Sequence, residues 1–420
     1  MISRKVFLKA GGLTLFGIGI GGIPAFMAQA ANLVKEPTLF KRRKILVSIF
    51  QRGAMDGLMA VSPFNDQFLK SARPGLYMQA SKAGNIPSLI DLDGRFGLHP
   101  SMQAFESVFR EKRLAIVHGI GSPNTTRSHF DAQDYMESGT PFNKGTTSGW
   151  LNRAVGLLGH EATPFQAVSL TSSLPRSFYG EMPALAISNL QDFSIQMRGN
   201  PMSTNRISQS FEELYDQTAS GLLKSTGKDS FDAVKMLQKT DVRSYKPANG
   251  VIYPTSPLGN SLKQIAQLIK MDVGLEVAFA ESGGWDTHFN QGTANGVFAR
   301  NVTDLSQSIM AFWKDMEIYQ DDLTVMTMTE FGRTVKQNGT GGTDHGRASC
   351  NFILGNHVNG GFVHGKVDTL APENLEDGRD LAVTTDFRSI FSELAERHLQ
   401  IENKKLLFPG FEGQGIGVMR

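Results

Sequence analysis

The chain has 420 residues, 40% of them hydrophobic, with 42 Lys and Arg against 40 Asp and Glu. That length supports the core of one large domain or two, and the near-neutral balance excludes a basic field for nucleic acid. The single cysteine, Cys350, excludes an intrachain disulfide framework and a thiolate zinc cluster; lying in an apolar run, it reads as a buried, inert thiol.

The N-terminus is an address rather than structure. Arg4, Lys5 and Lys9 make a basic stretch, Leu13 to Met27 is a glycine-rich apolar run, and Ala28–Gln29–Ala30 is a small-x-small cleavage site. The expectation is an export signal over 1–30, a mature start at Ala31 and a periplasmic or secreted destination. Residues 3–9 (SRKVFLK) resemble the twin-arginine signal, with Lys5 in the place of the second arginine, so the general secretory route stays open. The export machinery is the expected partner here. A membrane is expected only through an uncleaved signal, because the apolar run is short for a span.

Residues 31–43 read as a linker. A strand at 44–50 then ends in a glycine-bounded turn carrying Asp56. A second strand, 113–119, leads through the loop 122–127 to a helix opened by Ser128, a good N-cap with Asp131 at the capping-box spacing. Short strands follow at 166–170 and 184–188. The polar stretch 200–250, with helices near 208–223 and 230–240, is the expected inserted cap. A helix at 257–271, a strand at 273–280 and a long amphipathic helix at 295–319 come next. Strands at 323–328, 351–354 and 361–367, a terminal helix at 385–399 and a tail at 412–420 complete the chain. Strands alternating with helices predict an α/β fold, with a mainly parallel central sheet covered by helices on both faces.

In such sheets ligands gather at the carboxyl ends of the strands. Asp56, Ser128, Asp286, His288 and Glu330 each follow a predicted strand, which predicts a single site. Asp286 with His288, and Asp344 with His345, set carboxylate and imidazole close together among glycines. Such loops suit one or two divalent cations. Each residue also has a structural alternative. Ser128 serves as an N-cap, Asp56 as an Asx-turn, Asp286 and His288 as turn hydrogen-bonders, Asp344 as an acceptor of local N–H groups, and Glu330 with Arg333 as a buried ion pair. His129 reads as a supporting histidine rather than a ligand. His99, His118, His160, His357 and His398 have no acidic neighbour at ligand spacing and read as structural.

The segments RGAMDG (52–57), RSHFDAQ (127–133), SGWLNR (148–153), GGWDTH (283–288), EFGRT (330–334) and GTDHG (342–346) together resemble an exported bacterial family. It is catalogued as domain of unknown function 1501, and the resemblance runs from about 44 to 411. That family is similar in fold to the alkaline phosphatase and sulfatase superfamily. The resemblance implies an alkaline-phosphatase-like domain, with Asp56 as a first-strand metal ligand, Ser128 as nucleophile, Asp286 as a ligand spaced from Glu281, and Asp344–His345 as further ligands. Arg127 or Arg333 would clamp the non-reacting oxygens of the substrate.

Two departures shape the expectation. The Asp-His pair follows its strand by a loop, so either Glu330 takes a ligand place or the loop folds back to deliver Asp344 and His345. Asn290 stands where the superfamily carries a distal histidine, so His288 substitutes for it; His364 is a further candidate. The activity implied is metal-dependent hydrolysis of phosphate or sulfate esters, on a small molecule or a polymer. The alternatives are a non-catalytic cell-envelope binding or assembly protein and a phospho-group transferase acting on envelope polymers. Mixed histidine and carboxylate ligands favour zinc or manganese, with calcium and magnesium also compatible.

Overall fold

The computed structural model of the chain describes residues 43–80, 87–160, 163–190 and 245–420. The expected signal over 1–30, the linker up to 42 and the helices expected near 208–223 and 230–240 lie outside the described residues. The strands are β1 (Ile45–Gln51), β2 (Val61–Pro63), β3 (Ile90–Asp91), β4 (Phe96–Leu98), β5 (Leu114–Gly121), β6 (Ala167–Ser169) and β7 (Leu185–Ala186). The second half adds β8 (Val277–Ser282), β9 (Leu323–Met328), β10 (Arg333–Gln337), β11 (Thr343–His345), β12 (Ser349–Gly355), β13 (Val363–His364) and β14 (Thr385–Asp386). The longer helices are α1 (His129–Ser138), α2 (Trp150–Leu157), α3 (Pro257–Lys270), α4 (Val297–Asp315) and α5 (Phe387–Arg397).

The central sheet has the order β13-β5-β12-β9-β1-β8-β6-β7, with β14 also paired to β5. Among its described strands β12 alone runs antiparallel to its neighbours. The middle strand β1 is buried along its whole length, as expected of a mostly apolar strand covered on both faces, with Ser48 and Gln51 its only polar residues. Its alternation divides the core. Ile45, Val47 and Ile49 pack with Leu262 and Ile265 of α3 and with Val302 and Leu305 of α4. Leu46 and Phe50 pack with Trp150 and Leu151 of α2 and with Phe391 and Leu394 of α5. The mainly parallel, two-faced sheet is therefore as expected.

Local chemistry sets the helix starts. Ser256 caps α3 by accepting the Gly259 N–H at 3.0 Å, with Pro257 in the first turn where its missing N–H is harmless. Asp386 caps α5 in the same way, accepting from Arg388 N at 2.9 Å. The strand expected at 273–280 begins only at Val277, because Asp272 and Gly274 hold positive φ in the turn before it. The C-terminal tail is docked on α5. The Glu393 carboxylate on α5 accepts the N–H groups of Ile416, Gly417 and Met419 at 2.8–3.0 Å.

Four segments leave the sheet at the carboxyl ends of β1, β5, β8 and β9 and turn over the same edge. After β9 the chain passes Thr329–Gly332 and forms the antiparallel hairpin β10–β11, pairing Arg333 with His345. The hairpin folds back and returns Asp344 and His345 to the sheet edge.

Candidate metal centre

Three imidazoles converge on one carboxylate oxygen. From Asp286 Oδ1, His288 Nε2 lies at 3.0 Å, His345 Nε2 at 3.3 Å and His129 Nε2 at 3.6 Å. His129 is the first residue of α1, whereas Asp286 and His288 lie on the loop after β8 and His345 ends β11. His129, Asp286 and His345 can each offer a ligand atom within 4.8 Å of the others. Among the described residues no other group of this kind is present.

The Nδ1 partners determine which nitrogen faces the centre. His345 Nδ1 is 2.9 Å from the Arg127 carbonyl, which can only accept, so Nδ1 carries the proton. His129 Nδ1 donates to Glu330 Oε1 at 2.8 Å and His288 Nδ1 to Asp344 Oδ1 at 3.0 Å. All three Nε2 atoms therefore present lone pairs to the same small volume. His288 Nε2 and His345 Nε2 are only 3.0 Å apart, and His129 Nε2 is buried without a hydrogen-bond partner. Lone pairs gathered beside a carboxylate call for positive charge; Arg333 supplies part of it, with Nη2 2.5 Å from Asp286 Oδ1 and Nη1 3.4 Å from His288 Nε2, and three imidazoles with one carboxylate are a donor set that fits a divalent ion. Each imidazole also has the outer partner that metal-binding histidines need for orientation.

Glu330 is completely buried. Its Oε1 accepts from His129, from Gly53 N at 2.9 Å and from Gln133 Nε2 at 2.9 Å. Burial alone would raise its pKa, but the His129 and Gln133 hydrogen bonds hold it below the ordinary carboxylate value. The same bond to Glu330 raises His129, against burial, which lowers it. His345 is lowered, mainly by burial. Burial pushes Asp286 up, but the hydrogen bond and charge of Arg333 outweigh it and the pKa falls. Phe331 is wedged under two of the rings, with its centroid 5.0 Å from those of both His129 and His345.

The loops approach too closely for side chains at two glycines. Gly53 holds φ +114°, and a Cβ there would lie 2.6 Å from Asp286 N. A Cβ on Gly342 would lie 2.3 Å from the Thr287 carbonyl oxygen.

A family model described as "Protein of unknown function (DUF1501)" matches residues 43–407. The chain belongs to the DUF1501 family. No curated protein matches it. Among solved structures, it is similar to Ps i-CgsB in complex with k-i-k-neocarrahexaose, at 9% identity and TM-score 0.40, over 90% of this chain and 76% of that one. It is similar to PsFucS1 sulfatase from Pseudoalteromonas sp., at 11% identity and TM-score 0.35, over 94% of this chain and 76% of that one. It is also similar to the alkaline phosphatase from the Antarctic bacterium TAB5, at 9% identity and TM-score 0.31, over 75% of this chain and 92% of that one. These likenesses are loose, and the functional reading rests on the site's own atoms.

In this DUF1501 chain several expected site residues take other places. Asp56, expected as a metal ligand, is buried away from the cluster. It caps the short helix Gly57–Ala60 through Met59 N at 3.2 Å and pairs with the buried Arg73 at 2.8 Å. Glu330 and Asp344, also expected as ligands, face the Nδ1 atoms of His129 and His288 instead. The histidine expected to support the site, His129, points its free nitrogen inward. His364 Nε2 bonds the Asn359 carbonyl at 2.8 Å and is no part of the cluster.

Neither arginine forms the expected clamp. Arg333 is buried, and its donors go to the carbonyls of Ala54, Thr343, Gly53 and Trp285 at 2.7–3.0 Å and to Asp286 Oδ1 at 2.5 Å. Arg127 is held by Asp377 at 2.7 Å and Asp380 at 2.5 Å. Ser128 occupies the N-cap position of α1 but makes no side-chain capping bond, and it is exposed. Sequence reasoning placed His129 behind the site rather than in it, and missed Phe331. The only signal for His129 was its place directly after Ser128, in the helix first turn.

Proposed function

We propose that the chain is an exported, metal-dependent hydrolase of phosphate or sulfate esters. His129, Asp286, His288 and His345 hold one divalent cation, and the Ser128 hydroxyl is the nucleophile. The observation that carries this reading is the convergence of three Nε2 atoms on Asp286 Oδ1, each ring fixed from behind by an acceptor at Nδ1. A bound cation would supply positive charge to the reacting ester and lower the pKa of a neighbouring hydroxyl. Three imidazoles and one carboxylate suit zinc or manganese better than calcium or magnesium, which prefer all-oxygen sets.

Ser128 is available because its side chain does not cap the helix. It stands at the N-terminus of a ten-residue helix, where unpaired N–H groups and the helix dipole favour an anionic group. Its oxygen bonds to phosphorus or sulfur as the ester oxygen leaves, the hydroxyl proton passing through water to that leaving oxygen; a second water then displaces the Ser128 oxygen, which regains a proton as free phosphate or sulfate departs. The basic and apolar N-terminal segment with its Ala28–Gln29–Ala30 site supports export. Among the described residues no helix is long and apolar enough to cross a membrane.

One observation favours a second reading, a non-catalytic binding or assembly protein of the cell envelope. Arg333 already gives Asp286 a counter-charge, with Nη2 2.5 Å from Oδ1. The deciding experiment is elemental mass spectrometry on the chain from Ala31 onward, followed by assays with aryl phosphates and aryl sulfates. One tightly held ion, lost in Asp286→Asn, together with ester turnover is the expected result. A chain that takes up neither zinc nor manganese would sink the metal reading and leave the binding protein.

A further inference from the structure

We infer that Gln291 is a positioning residue, whose side-chain amide sets the spacing between the Asp286–His288 loop and strand β11 and so the geometry in which the ligands meet. The inference rests on the metal reading above. Gln291 Oε1 accepts the Thr287 hydroxyl at 2.8 Å and the Thr343 hydroxyl at 2.9 Å. Thr287 stands between Asp286 and His288. Thr343 directly precedes Asp344 and His345. A single amide oxygen thus joins the two segments that bring three of the four ligands.

The amide cannot turn over. Its Nε2 donates to Asp56 Oδ2 at 2.8 Å, and exchanging oxygen and nitrogen would face an acceptor with an acceptor. Asp56 is fixed in turn by Arg73 Nη1 at 2.8 Å. Arg73 also donates through Nε and Nη2 to the carbonyls of Val335 and Thr334 on β10, at 2.8 and 2.7 Å, and β10 is the partner of β11. The carboxylate expected to hold metal therefore anchors the brace beneath the site.

All of these side chains are buried, Thr287 the least so at 4% exposed. Water does not replace a bond lost in such surroundings, so removing one donor leaves Gln291 underfilled and the loops free to part. The segments themselves are rich in glycine, at 283, 284, 341 and 342, and contribute little stiffness of their own.

The test uses the full mature chain with zinc and cobalt. Thr287→Val and Thr343→Val each remove the hydroxyl donor while keeping volume. Each is expected to weaken zinc binding about 10- to 100-fold, the usual cost of losing a ligand-orienting partner, and to shift the visible absorption of the cobalt form. Thr287→Ser and Thr343→Ser keep the donor and are expected to restore affinity and spectrum. Valine variants that bind like the wild type overturn the inference alone, as do serine variants that lose affinity equally, because packing would then be the cause. A wild-type chain that binds neither ion removes the metal reading and this inference with it. Should a valine variant not fold, Gln291→Leu removes the shared acceptor and carries the same expectation.

Discussion

His129, half-buried, pairs with the fully enclosed Glu330 carboxylate, with Nδ1 2.8 Å from Oε1, so that the one free nitrogen of the ring points to Asp286. The carboxylate fixes the tautomer and strengthens Nε2 as a donor to metal. In Glu330→Gln the charge is lost and one face of the amide opposes the Gly53, His129 or Gln133 donors. Zinc affinity is expected to fall about 10- to 100-fold, with about one ion still bound at saturation. Isothermal titration would show it; an unchanged Kd would mean that His129 is not a ligand.

Ser128→Ala separates the nucleophile from the helix cap. A capping serine replaced by alanine costs about 1 kcal/mol. Ser128 makes no capping bond, so the variant is expected to stay within about 0.5 kcal/mol of the wild type in urea unfolding. Ester turnover should vanish while metal content is retained. Retained turnover would remove Ser128 from the nucleophile role.

Asp56→Ala tests the reassignment of that carboxylate. It would leave Arg73 buried without its counter-charge, and a broken buried pair costs about 3 to 5 kcal/mol. Denaturant unfolding should show a loss of that size. Saturating zinc should still give one ion per folded chain; loss of the ion at saturation would return Asp56 to the ligand set.

Stability should fall in mild acid. Burial lowers His99, His118 and His398 from 6.5 to about 4, each with Nε2 on a backbone carbonyl. The unfolded chain binds these protons below pH 6.5, while the folded chain refuses them until about pH 4. Proton uptake therefore favours unfolding across that window, by at most about 3 kcal/mol per histidine. The melting temperature of the metal-free protein should be flat above about pH 6.5 and drop steadily below it. A flat profile down to pH 5 would contradict the neutral, buried state of these rings.

The strand β9 was legible to the residue, and β1, β5, α3 and α5 to within two or so, because long apolar runs and sharp N-caps are local signals. Helix α2 was missed although its tryptophan was noticed, since Gly149 supplies no side-chain cap. The hairpin β10–β11 was missed because its residues are polar and its pairing depends on a buried arginine supplied with carbonyls from distant loops.

The sequence by itself determined the two-faced, mainly parallel sheet, the edge at which chemistry gathers, and Asp286 and His288 on it; the fold-back of β10–β11 that brings His345 there was decided in space. Residue type, hydrophobic period and the alternation of strands with helices are enough for the sheet and its edge. Only the tertiary structure decided which carboxylates face the centre and which stand behind it. Asp56, Glu330 and Asp344 look alike in sequence to Asp286, and each lies near a strand end. Their roles were assigned by what lies opposite them in space: Arg73 and Gln291 for Asp56, the Nδ1 of His129 for Glu330 and of His288 for Asp344. A carboxylate takes the nearest donor it can desolvate with, and that donor comes from another part of the chain.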